Sequence, residues 1–315
     1  MLLRFIKVER NAAALLVLAA ITGLVLANLP GVELSIHSLA EISEYSLMLF
    51  FFLVGLELKR ELTDGAFKEK KKLIVPLMAA VFGALLPALL YFAVTNGNSV
   101  AQSGWAIPMA TDITFALAIF SFFASRMPSG SRQFLLAFAI IDDILAIIVI
   151  ALFLGVPVLT GALVTGSAVF GLLVPVRFIN KLENVIHPFV AYLVLPIFAF
   201  TALAIPISQS LITVVGSVVG LGVLLRVIGK VIGISFGAWL GSKIAGPVSS
   251  LRFIDYLKIS VLGGIGFTVS FLVTNLVFAD YALERSQAIV ASLIAALIAI
   301  VLSTLVFRYK SPSLG

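Results

Sequence analysis

Long apolar segments alternate with short polar ones along the whole chain. Ten stretches consist largely of Ala, Ile, Leu, Val, Phe and Gly, and most are long enough to cross the hydrocarbon core of a bilayer. They cover residues 11–29, 44–58, 73–95, 104–124, 133–154, 157–175, 185–207, 211–242, 255–277 and 287–307. The pattern predicts an all-α membrane protein with about ten transmembrane helices in a single polytopic domain, 1–315. The eighth stretch is so long that it requires tilt or an interfacial extension.

Composition supports this membrane assignment. The chain has 315 residues, of which 61% are hydrophobic and 11% are charged, whereas about a quarter of the residues of a soluble domain are charged. The first apolar stretch is longer than the core of a signal peptide and is typical of a first transmembrane helix. There is no cysteine, so disulfide and thiol chemistry are excluded.

The positive charge is unevenly distributed between the two sides of the membrane. In a soluble protein a net charge of +6 would suggest a nucleic-acid partner. Here eighteen of the 21 lysines and arginines fall on the side that holds both termini, and only Arg285 falls on the other. The positive-inside rule therefore predicts cytoplasmic termini. Membrane lipid, and no nucleic acid, is the expected surrounding partner.

Away from the ends of the predicted spans, five charged residues remain at depth: Asp112 in the fourth, Asp142 and Asp143 in the fifth, and Arg226 and Lys230 in the eighth. A charged Asp at a helix centre costs roughly 2.5–3.5 kcal/mol on insertion scales, so these residues require an explanation. A buried ion pair that only joins helices is one alternative, although such pairs contribute little to stability. Three carboxylates at similar depth favour a path for cations or protons.

Helix geometry separates the two adjacent aspartates. Neighbouring residues point about 100° apart around a helix axis, so Asp142 and Asp143 cannot share one direction. One can face a water-filled cavity while the other turns toward a partner on another helix. Lys230 is the obvious partner. We expect such a pair to exchange protons near physiological pH, because desolvation and the carboxylate act on the amine in opposite directions.

The fourth span, "GWAIPMATDITFALAIF", contains signals for a broken helix. Pro108 lacks a backbone N–H and disfavours a regular turn before it. Thr111 and Asp112 are residue types that cap a new helix start. A break around 110–112 would leave backbone carbonyls free for a cation. A simple proline kink is the alternative.

The ninth span carries a cluster of glycines in "GGIGF", 263–267. Glycine in a membrane helix often reflects only close packing. The interrupted span is, however, the middle one of a triplet in both 73–154 and 211–307, and these triplets run in opposite directions. Paired interruptions in inverted repeats indicate a binding site near the midplane of a secondary transporter. Residues 11–58 and 157–207 would then form an interface or scaffold.

Glycine also recurs at every fourth position of the eighth span, at Gly229, Gly233, Gly237 and Gly241. Such a stripe of small residues lets the backbone of a neighbouring helix approach closely. We interpret these glycines as structural and not as ligands.

Six motifs together resemble the NhaA-type bacterial sodium/proton antiporter family. They run in the family's order across most of the chain: "LMLFFFLVGLELKREL" (47–62), "GWAIPMATDITFAL" (104–117), "FAIIDDILAIIVIALF" (138–153), "LENVIHPFVAYLVLPIFAF" (182–200), "VIGKVIGIS" (227–235) and "GGIGFTVSF" (263–271). Paired broken helices are themselves a known feature of this family, so that signal and the resemblance are not independent.

The resemblance implies inverted three-helix repeats with two crossed discontinuous helices, here the fourth and ninth spans. It also implies electrogenic exchange of cytoplasmic Na⁺ or Li⁺ for external protons across the bacterial inner membrane, without a cofactor. Asp143 matches the principal cation ligand. Asp142 matches the residue that takes part in proton exchange and pairs with the family's lysine, here Lys230. Thr111 and Asp112 match the unwound positions, where the aspartate offsets helix dipoles.

A second set of positions resembles the family's cytoplasmic pH-regulation cluster: Glu57, Arg60, Glu61, Glu183 and His187. Ordinary charges at a membrane interface are the alternative for these residues. We expect His187 to begin the seventh span, next to Pro188.

Several features depart from the family pattern. Between the fifth span and "LENVIHPF" there is room for one span where relatives usually have three, so one helix pair is missing. The stretch between 28 and 44, where relatives carry a β-hairpin used for dimerisation, is short and puts homodimer formation in doubt. Asn184 replaces a histidine of the pH cluster. Arg226 lies where relatives are usually apolar, and would pair with an acid or line the outer funnel.

Two other classes of protein also place carboxylates at membrane depth. An intramembrane aspartyl protease needs two facing aspartates from separate helices, but offers no role for Lys230 or for an inverted repeat. A sodium-coupled symporter of a small organic anion is the closer alternative, although it needs polar recognition residues that are few here. No P-loop of the form GxxxxGK[ST] occurs, so nucleotide chemistry is not expected and the chain is not interpreted as an enzyme.

Overall fold

The chain is helical in nearly every part that the computed structural model describes, namely residues 2–30, 37–63, 70–153, 158–204, 211–246 and 251–309, and those ranges contain no strand. The α-helices are α1 (Leu2–Ala27), α2 (His37–Thr63), α3 (Lys70–Val94), α4 (Ser99–Ser103), α5 (Ile113–Phe123), α6 (Ser131–Phe153), α7 (Val158–Leu173), α8 (Val176–Phe189), α9 (Leu195–Leu203), α10 (Leu211–Gly216), α11 (Val218–Leu224), α12 (Arg226–Ala245), α13 (Phe253–Gly263), α14 (Thr268–Val277) and α15 (Ala282–Phe307). Gly104–Met109 and Ala124–Arg126 form 3₁₀ turns, and Val190–Val194 forms a π turn.

Seven membrane spans stand out among the described residues by length and composition. Five are unbroken: Lys71–Val94, Ser131–Leu152, Val176–Leu203, Val218–Ala245 and Ala282–Phe307. Two more are bent helix pairs. Helices α1, α2 and α7 occupy the other three predicted stretches, and the apolar part of α1 is the shorter segment Asn11–Ala27. The all-α membrane fold with about ten helices is thus confirmed.

The two bent pairs are the predicted discontinuous helices. The fourth span bends by 41° between Ser99–Met109 and Ile113–Arg126, and the ninth by 51° between Phe253–Gly263 and Thr268–Val277. The first break covers 110–112, as the capping residues predict, and excludes a simple proline kink. The second covers 264–267, within the glycine cluster.

The length of the eighth span is explained by a turn at Ser217. Its hydroxyl caps α11 by accepting a hydrogen bond from the Gly220 N–H at 3.0 Å, so α10 is a separate short helix. Residues 218–245 then have the length of one span. Tilt of a single long helix is therefore not needed.

The seventh span begins earlier than the sequence predicts, so the expectation that His187 starts it is wrong. Helix α8 starts at Val176, immediately after Pro175, and His187 lies near its end. Pro188 has no N–H to donate, yet the helix continues because the next turn, Val190–Val194, widens into a π turn. Pro188, whose residue type is typical of a helix start, is therefore accommodated inside the span.

The glycine stripe of α12 packs directly on the backbone of α3. A Cβ at Gly229 would lie 2.9 Å from the Cα of Pro87, and one at Gly241 would lie 2.9 Å from the Cα of Val75. Between them, Gly233 and Gly237 meet backbone carbonyls of α3. The glycines are structural, as predicted, and they fix α12 beside α3 through close backbone contact.

Candidate functional site

The two breaks meet in the interior. The backbone N–H of Asp112 donates to the carbonyl of Ile265 at 2.7 Å. The hydroxyl of Thr111 donates to the carbonyl of Gly263 at 3.0 Å. Each interrupted segment thus satisfies polar backbone groups of the other, which hydrocarbon could not do. The discontinuous helices form one joined crossing.

Asp112 caps both half-helices that start at this crossing. Its Oδ1 accepts from the N–H of Phe115 in α5 at 3.2 Å. Its Oδ2 accepts from the N–H of Thr268, the first residue of α14, at 3.2 Å, and from the Thr268 hydroxyl at 2.9 Å. Helix N-termini carry partial positive charge, so one carboxylate stabilises two of them.

Asp143 faces a narrow cleft beside this crossing. The side chain belongs to α6 and is only 5% exposed. Thr111, Asp112 and Thr268 line the same cleft, and the apolar residues lining it include Phe50 and Leu195. Carboxylate and hydroxyl oxygens are ligands suited to a hard cation. Within the described residues, no group of three or more His, Cys, Asp or Glu side chains is placed to hold a metal ion.

Asp142 points away from the cleft to Lys230. The Lys230 amine lies 2.9 Å from Oδ2 and 3.0 Å from Oδ1 of Asp142, and both side chains are almost fully buried. The amine also lies 5.8 Å from the centre of the Phe138 ring. The adjacent aspartates therefore face different surroundings, as helix geometry predicts.

A second charged cluster joins α2 to α8. Arg60 donates to Glu183 and lies 3.3 Å from Glu61. Burial alone would lower the pKa of Arg60, but the carboxylates of Glu183, Glu57 and Glu61 outweigh it and raise that pKa, so the guanidinium stays charged. The charge of Arg60 also acts on His187. All five residues of the predicted pH cluster are thus brought together.

Glu57 belongs to this cluster, since its carboxylate is one of those that raise the pKa of Arg60. None of the five cluster residues lines the cleft. The structure therefore separates the buried carboxylate site from the charged cluster of α2 and α8.

The sequence did not single out Thr268, Phe50 or Leu195. Thr268 directly follows the "GGIGF" break, and its residue type at that place is the same signal that marked Thr111 and Asp112. Phe50 and Leu195 carry no local signal, because apolar residues of this kind occur throughout the spans.

This fold and site define a class of protein: a multi-pass membrane transporter with two broken helices that meet at buried charges. Comparison with known families agrees with it. The family model described as Na⁺/H⁺ antiporter 1 matches residues 3–180 and 175–307. The chain belongs to this family of sodium/proton antiporters.

Individual relatives also indicate the sodium/proton antiporter family. The chain is 31% identical to the Na⁺/H⁺ antiporter NhaA of Proteus mirabilis, with 87% of this chain and 88% of the relative covered. It is 34% identical to the Na⁺/H⁺ antiporter NhaA of Vibrio campbellii, with 89% and 88% covered. It is 33% identical to the NhaA antiporter of Aliivibrio fischeri strain MJ11, with 87% and 88% covered.

The comparisons also support a shortened chain. The Proteus alignment is 344 positions long although it takes in 87% of a chain of 315 residues, so stretches of the relative have no counterpart here. The family match is itself in two pieces that overlap at 175–180. That junction falls at the start of α8, in the region where the sequence predicts a missing helix pair.

Proposed function

We propose that this protein exports Na⁺ or Li⁺ from the cytoplasm in exchange for protons, electrogenically, with both ions competing at membrane-embedded aspartates. The observation that carries the proposal is the placement of Asp143 beside Asp112 and Thr111 at the crossing. Asp143 holds the cation. Asp142 and Lys230 form the proton-exchanging pair.

Competition at the two aspartates couples the fluxes without any nucleotide. A sodium ion needs the negative form of Asp143, whereas a proton removes that charge. Protonation of Asp142 breaks its ion pair with Lys230, which places a second proton on the carrier. Two carboxylates with one cation site allow more protons than sodium ions to cross in each cycle, and this imbalance makes the exchange electrogenic.

We also propose that residues 73–154 and 211–307 are inverted repeats in the bacterial inner membrane, with 11–58 and 157–207 as scaffold and both termini in the cytoplasm. The orientation is supported by basic residues gathered at the end of α15. Arg126 donates to the carbonyl of Arg308 at 2.8 Å, and Lys258 donates to that of Tyr309 at 2.8 Å. The doubt about a homodimer stays a prediction. It concerns the short stretch between 28 and 44, of which residues 31–36 lie outside the described residues.

Reconstitution tests the exchange directly. Purified protein is placed in liposomes that contain a pH dye, and an inward-acidic proton gradient is imposed. We expect a pulse of Na⁺ or Li⁺ to dissipate the gradient within seconds to minutes, and valinomycin with K⁺ to change the rate because net charge moves. Failure of sodium to dissipate the gradient would reject the antiporter; sodium uptake that requires an added organic anion would favour the symporter instead.

The cluster of Arg60, Glu183 and Glu57 is proposed to set the pH at which exchange begins. In Glu183→Gln, Arg60 loses its closest carboxylate. We expect the pH of half-maximal exchange to move by roughly half a unit, since a partly exposed ion pair is worth on the order of 0.2–1 kcal/mol and one pH unit corresponds to about 1.4 kcal/mol. Sodium affinity at saturating alkaline pH should be unchanged, because Glu183 does not line the cleft.

Lys59→Gln serves as the control, since it also removes one charge, here from the residue that precedes Arg60 on the last turns of α2. Rates are measured between pH 6 and 9 in the same liposomes. A Glu183→Gln profile that matches that of the unmodified protein would remove the regulatory role from this cluster.

A further inference from the structure

Arg226 is fully buried one helical turn from Lys230, at 0% exposure. Lys230 has a carboxylate partner in Asp142, but in the described part of the chain no ion pair involves Arg226. The sequence-based alternatives, an acidic partner or an outer funnel, are both wrong. A permanently charged group held in the interior without a counter-ion must be stabilised by other polar groups.

Neutral oxygens from three helical segments surround the guanidinium. Nη1 donates to the Ser270 hydroxyl at 2.7 Å. Nη2 donates to the carbonyl of Gly266 at 3.1 Å and to that of Ser292 at 3.2 Å. Ser270 in turn donates to the carbonyl of Ile107 at 3.2 Å. Arg226 thus bonds directly to the ninth span and to α15, and it is linked to the fourth span through Ser270.

Two carbonyls of this network, those of Gly266 and Ile107, are ones that the helix breaks leave free, whereas that of Ser292 lies within α15. Gly266 lies inside the break at 264–267, and Ile107 lies in the last turn of the 3₁₀ helix Gly104–Met109. Carbonyls at the end of a helix carry partial negative charge and have no intrahelical partner. Asp112 neutralises the half-helix N-termini at the crossing, whereas Arg226 lies against the carbonyls.

Gly266 is what allows this approach. A Cβ at this position would collide with Nη1 of Arg226 and would also meet the carbonyl of Ala110 and the Ser270 hydroxyl. The missing side chain is therefore required by the position of the guanidinium as well as by the break. Arg226 and Gly266 fit together as a unit.

We propose that Arg226 is a built-in cation at the crossing: it is the positive counterpart of Asp112, and it neutralises the free carbonyl of Gly266 directly and that of Ile107 through Ser270. It fills the place where freed carbonyls would otherwise attract a transported ion, and so restricts that ion to the Asp143 cleft. Arg226 is a positioning residue. Its direct partners belong to the ninth and tenth spans, and Ser270 extends the network to the fourth.

Chemical rescue tests this role independently of what the protein transports. Arg226→Ala removes the cation and leaves an oxygen-lined cavity. We expect its melting temperature in detergent to fall by roughly 5–10 °C, and its sodium-dependent exchange to fall at least about tenfold. Millimolar guanidinium should restore a large part of the melting temperature, whereas urea, which has a similar shape but no charge, should not.

A pair of variants that differ in charge keeps the test decisive if Arg226→Ala does not fold or binds neither compound. Arg226→Lys retains the charge, and Arg226→Gln retains donors without charge. The lysine variant should be the more stable and should keep a KM for sodium within about threefold of the unmodified value, while the glutamine variant raises it about tenfold. Equal rescue by urea, or a glutamine variant as stable as the lysine variant, would overturn the proposal. Failure of exchange in the unmodified protein would affect only the proposed function, since melting is read without transport.

Discussion

Asp143→Asn is expected to abolish both sodium-proton exchange and sodium binding. Asparagine keeps the size of the side chain and one carbonyl oxygen but removes the negative charge that faces the cleft. A loss of about 100-fold or more in sodium affinity, equivalent to about 2.8 kcal/mol, is expected because the remaining lining groups near the ion are hydroxyls and one carboxylate that is already engaged in capping. Binding is measured by calorimetry on purified protein, and exchange in dye-loaded liposomes.

Asp142→Asn is the matched comparison, since it makes the same chemical change on the neighbouring residue. In that variant the exchange rate should fall at least about tenfold, because the ion pair between residue 142 and Lys230 is broken. The variant should still bind sodium at Asp143. Sodium affinity retained in Asp143→Asn would place the cation site elsewhere. Equal loss of binding in both variants would mean that the aspartates act as one ligand.

Gly233→Val is expected to prevent formation of stable protein. The new side chain would enter the backbone of α3 at the carbonyl of Phe82, and backbone cannot move aside as a flexible side chain can. Because α12 carries Arg226 and Lys230, a displaced α12 would also separate these residues from their partners. We expect a fall in melting temperature of more than about 10 °C, or aggregation during size-exclusion chromatography.

Gly166→Val controls for the loss of glycine itself. Gly166 is an exposed helical glycine of α7 with open space where a Cβ would stand, so its replacement should change the melting temperature by no more than a few degrees. If Gly233→Val melts like Gly166→Val, the close contact between α3 and α12 does not stabilise the fold.

The parts of this site that depend on local chemistry were predictable from the sequence. Buried charge is costly, so the depth of Asp112, Asp142 and Asp143 was informative by itself. Capping residue types gave the break at 110–112. The different directions in which the side chains of Asp142 and Asp143 point followed from helix geometry alone. The transport roles of these residues stay predictions until the experiments above are done.

The parts that depend on contacts distant in sequence were not predictable. Thr268 becomes a partner of Asp112 only because two breaks meet. The oxygens of the network around Arg226 come from positions as distant in sequence as Ile107, Ser270 and Ser292. The start of α8 was misplaced because Pro188 gives the same local signal whether it opens a helix or interrupts one. The turn at Ser217 was missed because the surrounding residues are uniformly apolar.

The π turn at Val190–Val194 sets how the two ends of the seventh span are rotated relative to each other. Glu183 and His187 lie before the turn, and Leu195, which lines the cleft, lies directly after it. A π turn holds one residue more than the corresponding α turn, so its relaxation to α-helix would rotate everything beyond it by about 100° relative to everything before it. The extra residue of the π turn therefore fixes which side of the span turns Leu195 toward the cleft, relative to the end that carries Glu183 and His187.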